Sequence, residues 1–220
     1  MATKVKEHYF EYGSMKYFRD NAHSIQLGNY GEKKDPIGSK AYLSTQNHVK
    51  NEHLAKYILK GKAAVVNWKE VSDSDFGLDG IVPVYGVAIK TAVGYSYKKM
   101  STADLRLFPF FIEAGPLQKM LNQDADGARK YLKDEGNDAR IVSYVWVVME
   151  AELSEIFSQS GGFEAGVVSG LLDLSINKSK GGVTTITLEA GSIFAYGMHK
   201  VKKWDKEMIE EMEDDFKGMS

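Results

Sequence analysis

Large apolar residues alternate with small or polar residues along positions 81–97, IVPVYGVAIKTAVGYSY. One side of the alternation carries Ile81, Tyr85, Val87, Ile89, Val93, Tyr95 and Tyr97, and the other carries Gly86, Ala88, Lys90, Ala92, Gly94 and Ser96. Successive side chains of a β-strand point to opposite faces, so this pattern predicts β-structure with one apolar face. Ordinary strands have roughly 3–10 residues, and we therefore expect a bend at Gly86 or Gly94.

Three further segments have strand patterns. Two of them are rich in large apolar residues, namely 105–112 (LRLFPFFI) and 141–153 (IVSYVWVVMEAEL). The third, 185–205 (TITLEAGSIFAYGMHKVKKWD), contains a Thr-rich strand, a turn at Gly191 and an aromatic strand that ends in lysines. These segments predict a sheet of several strands.

Apolar residues at helical spacing predict helices elsewhere in the chain. The predicted helices are residues 3–20, residues 45–60, a helix that Pro116 opens and Gly136 follows, and an acidic tail at 204–220. Residues 28–39, rich in Gly, Lys and Asp, predict a surface loop. Together these elements predict an α+β fold with a twisted, mostly antiparallel sheet flanked by helices. We expect one domain over residues 1–203, followed by the acidic helical tail 204–220.

The composition limits the classes of function. The chain has 220 residues, which fits one domain with a sizeable core. Its net charge of -2 gives no general basic field and argues against nucleic-acid binding. The absence of cysteine excludes disulfides and thiolate chemistry. Neither a signal peptide nor a run of ~20 apolar residues is present, so we expect a cytoplasmic protein that crosses a bilayer, if at all, by strands.

Motifs for metal, cofactor or catalytic chemistry are incomplete. Residues 73–80 (DSDFGLDG) begin like a calcium loop, but Leu78 takes its glycine position and Val84 its glutamate position. His48 and His53 lack the spacing that brings two zinc ligands to one helical face, and we expect both to be solvated. A dinucleotide fingerprint, a P-loop and a nucleophile elbow are also missing. The sequence therefore predicts no metal, no cofactor and no enzymatic activity.

The order of the strand segments resembles the pore-forming domain of the gasdermin family. That family has a strand of the type VYVVTE, a variable polar hairpin, and a segment of the type VTIPKGTVLAYRV. The corresponding segments here are 142–153 (VSYVWVVMEAEL), 154–182 and 183–201 (VTTITLEAGSIFAYGMHKV). Phe194, Ala195 and Tyr196 stand where the family has a short aromatic pair after its turn glycine, here Gly191. The resemblance is most specific over residues 140–204.

Two departures narrow the resemblance. Position 2 is Ala2 rather than the lipid-modified cysteine of bacterial members, and the sequence ends soon after the last strand, without the inhibitory domain of mammalian-type members. The chain is most similar to the short fungal gasdermins of allorecognition, which cause regulated, pyroptosis-like cell death. The resemblance implies a sheet that converts to a membrane β-barrel: copies bind acidic phospholipid, form a ring and insert two hairpins each.

The resemblance also implies partners and locations. The partners are acidic phospholipids such as cardiolipin and phosphatidylserine, further copies of the chain, and a variant paralogue or allelic partner. The protein would be cytoplasmic while soluble, and would lie in the cell membrane or a mitochondrial membrane once oligomeric.

Basic and apolar residues supply the candidates for membrane contact. The lipid-binding candidates are Lys4, Lys6, Lys16, Arg19, Lys33, Lys34 and Lys40. Each cation near an anionic surface contributes roughly 1 kcal/mol. The membrane-inserting candidates are Tyr85, Val87, Ile89, Val93 and Tyr95, with Lys98 and Lys99 at the tip of the first hairpin and Lys178 and Lys180 at the bend of the second.

Other interpretations of the sequence remain open. A soluble α+β module would use the same sheet to bind lipid or protein without inserting. An enzyme would build its site from scattered Asp and His residues. The tail 204–220 is expected either to neutralise part of the N-terminal basic surface or to be a solvated terminal helix.

Overall fold

The computed structural model describes residues 2–6, 8–35, 41–66, 105–149, 176–178, 184–186 and 193–216. The predicted strand at 81–97 lies outside these residues, together with its membrane-inserting candidates Tyr85, Val87, Ile89, Val93 and Tyr95. Lys40, Lys98, Lys99 and Lys180 also lie outside them.

The described residues form an α+β fold with a strongly curled antiparallel sheet and few helices. The strands are β1 Thr3–Val5, β2 Tyr9–Tyr12, β3 Met15–Phe18, β4 Asn29–Lys34, β5 Tyr42–His48, β6 Leu59–Lys60, β7 Ala64–Val66, β8 Leu105–Phe111, β9 Ala139–Met149, β10 Ile176–Lys178, β11 Thr184–Ile186, β12 Ile193–Asp205 and β13 Met208–Asp215. The α-helices are α1 Asn51–Leu54, α2 Ala114–Gln123 and α3 Asp126–Asp134.

Strands β9 and β12 form the centre of the sheet, and each has two neighbours on its outer side. The central pair extends from Ile193↔Val147 to His199↔Ile141. The first part of β9 also pairs with β4, and its second part pairs with β8. The first part of β12 pairs with β3, and its second part pairs with β13. The sheet therefore has four arms around one antiparallel pair.

The curl of the sheet brings β1 against β7, although the two strands belong to different arms. Thr3 Oγ1 donates a hydrogen bond to the carbonyl oxygen of Val65 over 3.3 Å. The concave face encloses an aromatic cluster that includes Phe10, Tyr17, Trp146 and Phe194. Adjacent strand residues such as Tyr17 and Phe18 point to opposite sides of the sheet. The other face therefore has apolar side chains of its own, and these pack against α2 and α3. Apolar side chains are thus buried on both faces.

Several sequence predictions are confirmed. The strand predicted at 105–112 is β8, and the one predicted at 141–153 is β9 as far as Met149. The aromatic strand is β12. The helix predicted to open at Pro116 begins at Ala114 and is divided into α2 and α3 by Asp124 and Ala125. Within the part of the chain that the structure describes, the helices are too short or too polar to span a membrane.

The predicted N-terminal helix is wrong, because residues 3–18 form the three-stranded meander β1–β2–β3. The helical spacing placed Phe10 on the polar side of a helix, whereas Phe10 is fully buried in the aromatic cluster. Gly13 has a φ of 64°, in the left-handed region that a tight hairpin turn requires and that glycine adopts without strain. The aromatic residues beside this turn also favour strand over helix.

Two further local predictions are wrong. The surface loop expected at 28–39 contains strand β4, in which Asn29, Tyr30 and Gly31 are buried. The helix expected at 45–60 is replaced by β5, the single turn α1 and β6. His48 therefore lies on a strand, where burial lowers the pKa of its imidazole, and it is not the solvated histidine that we expected.

The tail is a strand rather than the predicted helix. Residues Met208–Asp215 form β13, which pairs with β12. Register shifts near Val201 and Lys203 change the usual alternation, and the buried residues of β13 recur at every third position, Ile209, Met212 and Asp215. A bulged strand can therefore imitate helical spacing in a sequence.

Candidate functional site

Two long segments leave the sheet at the same end. Val66 at the end of β7 pairs with Leu105 at the start of β8, so residues 67–104 connect two adjacent antiparallel strands. Residues 150–192 connect β9 with β12, which are also adjacent and antiparallel. The pairs Arg106↔Met149 and Val147↔Ile193 place these four strand ends side by side. We call this end of the four strands β7, β8, β9 and β12 the exit end.

The second of these segments contains a two-stranded hairpin. Strands β10 and β11 pair antiparallel, from Ile176↔Ile186 to Lys178↔Thr184. Lys178 is the last residue of β10 and therefore stands next to the connection between the two strands. Lys180 belongs to that connection and lies outside the described residues.

Part of the predicted lipid-binding set lies at the exit end. Arg19 follows β3, and its guanidinium carbon lies 4.6 Å from the ring centre of Phe194, which is near the start of β12. Arg19 also donates from Nη1 to the carbonyl oxygen of Lys6. The imidazole Nδ1 of His8 lies 3.0 Å from Asp20 Oδ1 in the same region. Arg19 is buried. Its guanidinium contacts both Lys6 and Phe194 and thereby connects the meander to β12 in this conformation.

Two other basic candidates lie on the outer surface of the meander. Lys4 on β1 and Lys16 on β3 both pair in register with Glu11 on β2. The Nζ atom of Lys16 lies 4.4 Å from the ring centre of Tyr9. Lys4 is exposed. Strand pairing thus brings these two cations together, although the predicted helix would have arranged them differently.

Two further candidates, Lys33 and Lys34, lie on β4. Lys33 Nζ is 2.8 Å from Asp215 Oδ2, and both side chains are buried. Lys34 Nζ is 2.5 Å from Glu32 Oε2, and this hydrogen bond raises the pKa of the Lys34 ammonium. Lys33 Nζ also lies 5.3 Å from the ring centre of Phe18 on β3, so this buried cation contacts both the meander and β13.

Strand β13 carries an acidic ladder along β12. The ion pairs are Lys200–Glu213 at 2.8 Å, Lys202–Glu211 at 2.7 Å and Lys203–Glu210 at 2.6 Å. The hydrogen bond from Glu211 raises the pKa of Lys202. At the end of the ladder, Arg140 Nε approaches Asp215 Oδ2 within 2.6 Å. Asp215 thus accepts from Arg140 and Lys33 together, a buried cluster that the sequence does not reveal because its members are far apart in the chain.

One arrangement contains the residue types of a hydrolytic triad. Ser143 Oγ lies 2.5 Å from His199 Nδ1, and His199 Nε2 lies 3.2 Å from Asp214 Oδ1. Ser143 and His199 are buried in the sheet, whereas a nucleophile must be open to substrate. Burial also lowers the pKa of His199. These three residues therefore connect β9, β12 and β13, and they do not form a catalytic site.

Among the residues that the structure describes, no group of three or more His, Asp or Glu side chains is placed to bind a metal ion. Comparison with known proteins gives no match to a family model, to a curated protein or to a solved structure.

Proposed function

We propose that this protein is a gasdermin-like pore-forming protein that permeabilises membranes rich in acidic phospholipid. The observation that carries the proposal is the exit end, where residues 67–104 and 150–192 leave four consecutive antiparallel strands side by side. Two hairpins that extend from this end would continue the existing sheet in one direction. The resemblance of residues 140–204 to gasdermins supports the same assignment.

The sequence of the first segment suits a strand with one side in lipid. Its apolar side contains Val87, Ile89 and Val93, and its other side contains Ala88, Lys90 and Ala92. Strands that span a bilayer have such an alternation between a lipid side and a polar side. Hydrocarbon offers no partner for unpaired backbone groups, so the inserted strands must close into a ring of many copies.

The register of β7 and β8 makes the proposal more specific. If the inserted hairpin continues the pairing Val66↔Leu105, then Val82 pairs with Ile89, Leu78 with Val93 and Phe76 with Tyr95. Apolar residues then share one side of both strands. The turn in this register falls at Tyr85 and Gly86, so the proposed tip differs from the sequence prediction at Lys98 and Lys99.

Lipid contact in the proposal begins with the surface of the meander. Lys4 and Lys16 lie on its outer side, close to the strands that carry the exit end. Exposed cations near an anionic surface are attracted by about 1 kcal/mol each, and salt screens this attraction. Arg19 and Lys33 contribute to the fold in this conformation, so we assign them no primary role in docking.

Leakage of dye from liposomes tests the proposal. We expect the wild-type protein to release dye from vesicles that contain cardiolipin or phosphatidylserine, but not from neutral vesicles. Ile89→Lys places a charge on the lipid side, which costs up to about 2–4 kcal/mol per copy at the bilayer centre and should abolish leakage. Ala88→Lys, on the polar side of the same strand, is the matched control and should leak like the wild type.

The other functional classes give different results in the same assay. Binding of acidic vesicles without leakage would support the module that does not insert. Equal leakage by Ile89→Lys and Ala88→Lys, both with wild-type melting curves, would contradict the proposed lipid side. No binding and no leakage with any vesicle would remove the membrane function altogether.

A further inference from the structure

The N-terminal meander lies on both outer sides of the four-strand series β7–β8–β9–β12, and on β12 it covers the first part of the edge, which β13 leaves open. At one side of the series, Phe18 on β3 pairs with Tyr196 on β12. At the other side, β1 lies against β7, where Thr3 Oγ1 donates to the carbonyl oxygen of Val65 over 3.3 Å. A single short segment of chain, residues 3–18, therefore joins the first strand of the series to the last.

Aromatic side chains pack between the meander and the series. The ring of Phe10 meets Trp146 on β9 at 5.1 Å and Phe194 on β12 at 5.6 Å, both edge to face. Tyr17 on β3 meets the same Trp146 ring at 5.5 Å. On β1, Val5 packs into this aromatic cluster together with Ala64 and Val66 of β7.

Backbone pairing contributes little to these junctions. The ladder between β3 and β12 consists of the pair Tyr196↔Phe18, whereas β12 and β9 pair from Ile193 to His199. Side-chain packing can be exchanged for other apolar contacts without unpaired backbone groups being left behind. The meander is therefore attached in a way that another strand can replace.

We propose that the meander is an edge cap, and that its release lets β7 of one copy pair with β12 of the next. This inference rests on the proposed function and names the surface at which copies join. Strands β7 and β12 run in opposite directions, because three antiparallel pairings, β7–β8, β8–β9 and β9–β12, connect them. Pairing β7 with the neighbour's β12 thus continues the antiparallel order from copy to copy. Four strands per copy give an even total number of strands, which a closed antiparallel ring requires.

A reversible covalent link between β1 and β7 tests the edge cap. The chain has no cysteine, so Thr3→Cys with Val65→Cys introduces one thiol pair across this junction. The pair is closed by oxidation or, as a second route, by a reducible bis-maleimide linker, and mass spectrometry confirms closure. We expect the closed protein to bind acidic vesicles normally, to form no cross-linkable oligomer on them, and to leak at least tenfold more slowly until reductant is added.

A matched link on another arm of the sheet is the control. Glu32 on β4 and Ser44 on β5 are Cα partners, so Glu32→Cys with Ser44→Cys joins two strands without touching the meander. This closed control should assemble and leak like the wild type. Equal loss of assembly in both linked proteins, or undiminished assembly in the Thr3–Val65 link, would overturn the edge cap. A wild-type protein that never leaks would instead count against the proposed function itself.

Discussion

The outer edge of β12 has two neighbours that are attached by different kinds of interaction. Near the start of the strand, the meander is fixed by aromatic packing around Phe10 and by one backbone pair at Tyr196. Near the end of the strand, β13 is fixed by a long backbone ladder from Met198↔Asp215 to Asp205↔Met208 and by ion pairs. The same strand therefore has one apolar junction and one polar junction.

The two junctions should respond to different conditions. Burial of apolar surface depends little on salt or pH, so the meander should be removed by loss of volume in the aromatic cluster. Exposed ion pairs are individually weak and screened by salt, so among the charges of β13 the buried ones should contribute most to its stability. The expected effects below follow this division, from the largest to the smallest.

The aromatic junction should show the largest effect. Phe10→Ala removes a fully buried ring between Trp146 and Phe194, and such truncations lower the free energy of unfolding by about 3–5 kcal/mol. Urea unfolding at low and high salt measures the change, which should be the same at both. The control is Met15→Ala, because Met15 is an exposed residue of the same meander. A loss for Phe10→Ala no larger than that of the control would show that the meander does not depend on this cluster.

The polar junction should depend most on Asp215. In Asp215→Asn the shape is kept, but Lys33 and Arg140 lose the carboxylate that both approach. Hydrogen bonds between charged groups contribute about 1.5–3 kcal/mol, and we expect a loss of this size in urea unfolding. Glu210→Gln, in the exposed pair with Lys203, should cost under about 1 kcal/mol. Similar losses in the two variants would mean that burial does not distinguish Asp215 from the ladder.

The response to acid should come from the polar junction. Burial lowers the pKa of His199, whereas a histidine in the unfolded chain has a pKa of about 6.5. As the pH falls below that value, the unfolded chain binds a proton that the folded chain resists, and stability decreases. His199→Gln should therefore reduce the loss of unfolding free energy between pH 7.5 and pH 5.5. His48 gives the same sign from β5, so a comparison with wild type isolates the part due to His199.

Two outcomes decide the acid prediction. A smaller loss of unfolding free energy between pH 7.5 and pH 5.5 in His199→Gln than in wild type would support it. An identical pH dependence in His199→Gln and wild type would show that protonation of His199 does not oppose folding.

The same comparison shows which parts of the fold could be predicted from the sequence. Strands β8, β9 and β12 carry long apolar runs, and α2 and α3 carry regular helical spacing, so local pattern was sufficient. The two segments on the outer edge of β12, the meander and β13, both have sequence patterns that predict helices. In the meander the strands are too short to show alternation, and in β13 the register shifts separate the buried Ile209 and Met212 by three positions. In both, packing against distant parts of the fold outweighs the local pattern.

The candidate site was predictable to a similar extent. The resemblance and the alternation at 81–97 predict a hairpin there, but they do not show where its ends would lie. The common exit end depends on pairing between β7, β8, β9 and β12, which are distant in the chain. The charge of Lys33 predicts lipid contact, but its burial against Asp215 depends on a contact between residues 182 positions apart.

The smallest effect concerns the turns that lead into the two junctions. The turn between β2 and β3 contains Gly13 with a φ of 64°, and the turn between β12 and β13 contains Lys206 with a φ of 53°. Both residues adopt the left-handed conformation, which costs a residue with a side chain roughly 1–2 kcal/mol and glycine very little. Lys206→Gly should therefore raise the free energy of unfolding by up to about 1 kcal/mol, while Gly13→Ala should lower it by a similar amount. Lys133 Nζ donates a hydrogen bond over 3.0 Å to the carbonyl oxygen of Lys206. The glycine variant keeps this contact, because only the backbone of residue 206 takes part in it. Urea unfolding of both variants measures the two changes, and a loss of stability in Lys206→Gly would show that the side chain of Lys206 compensates for its strained backbone.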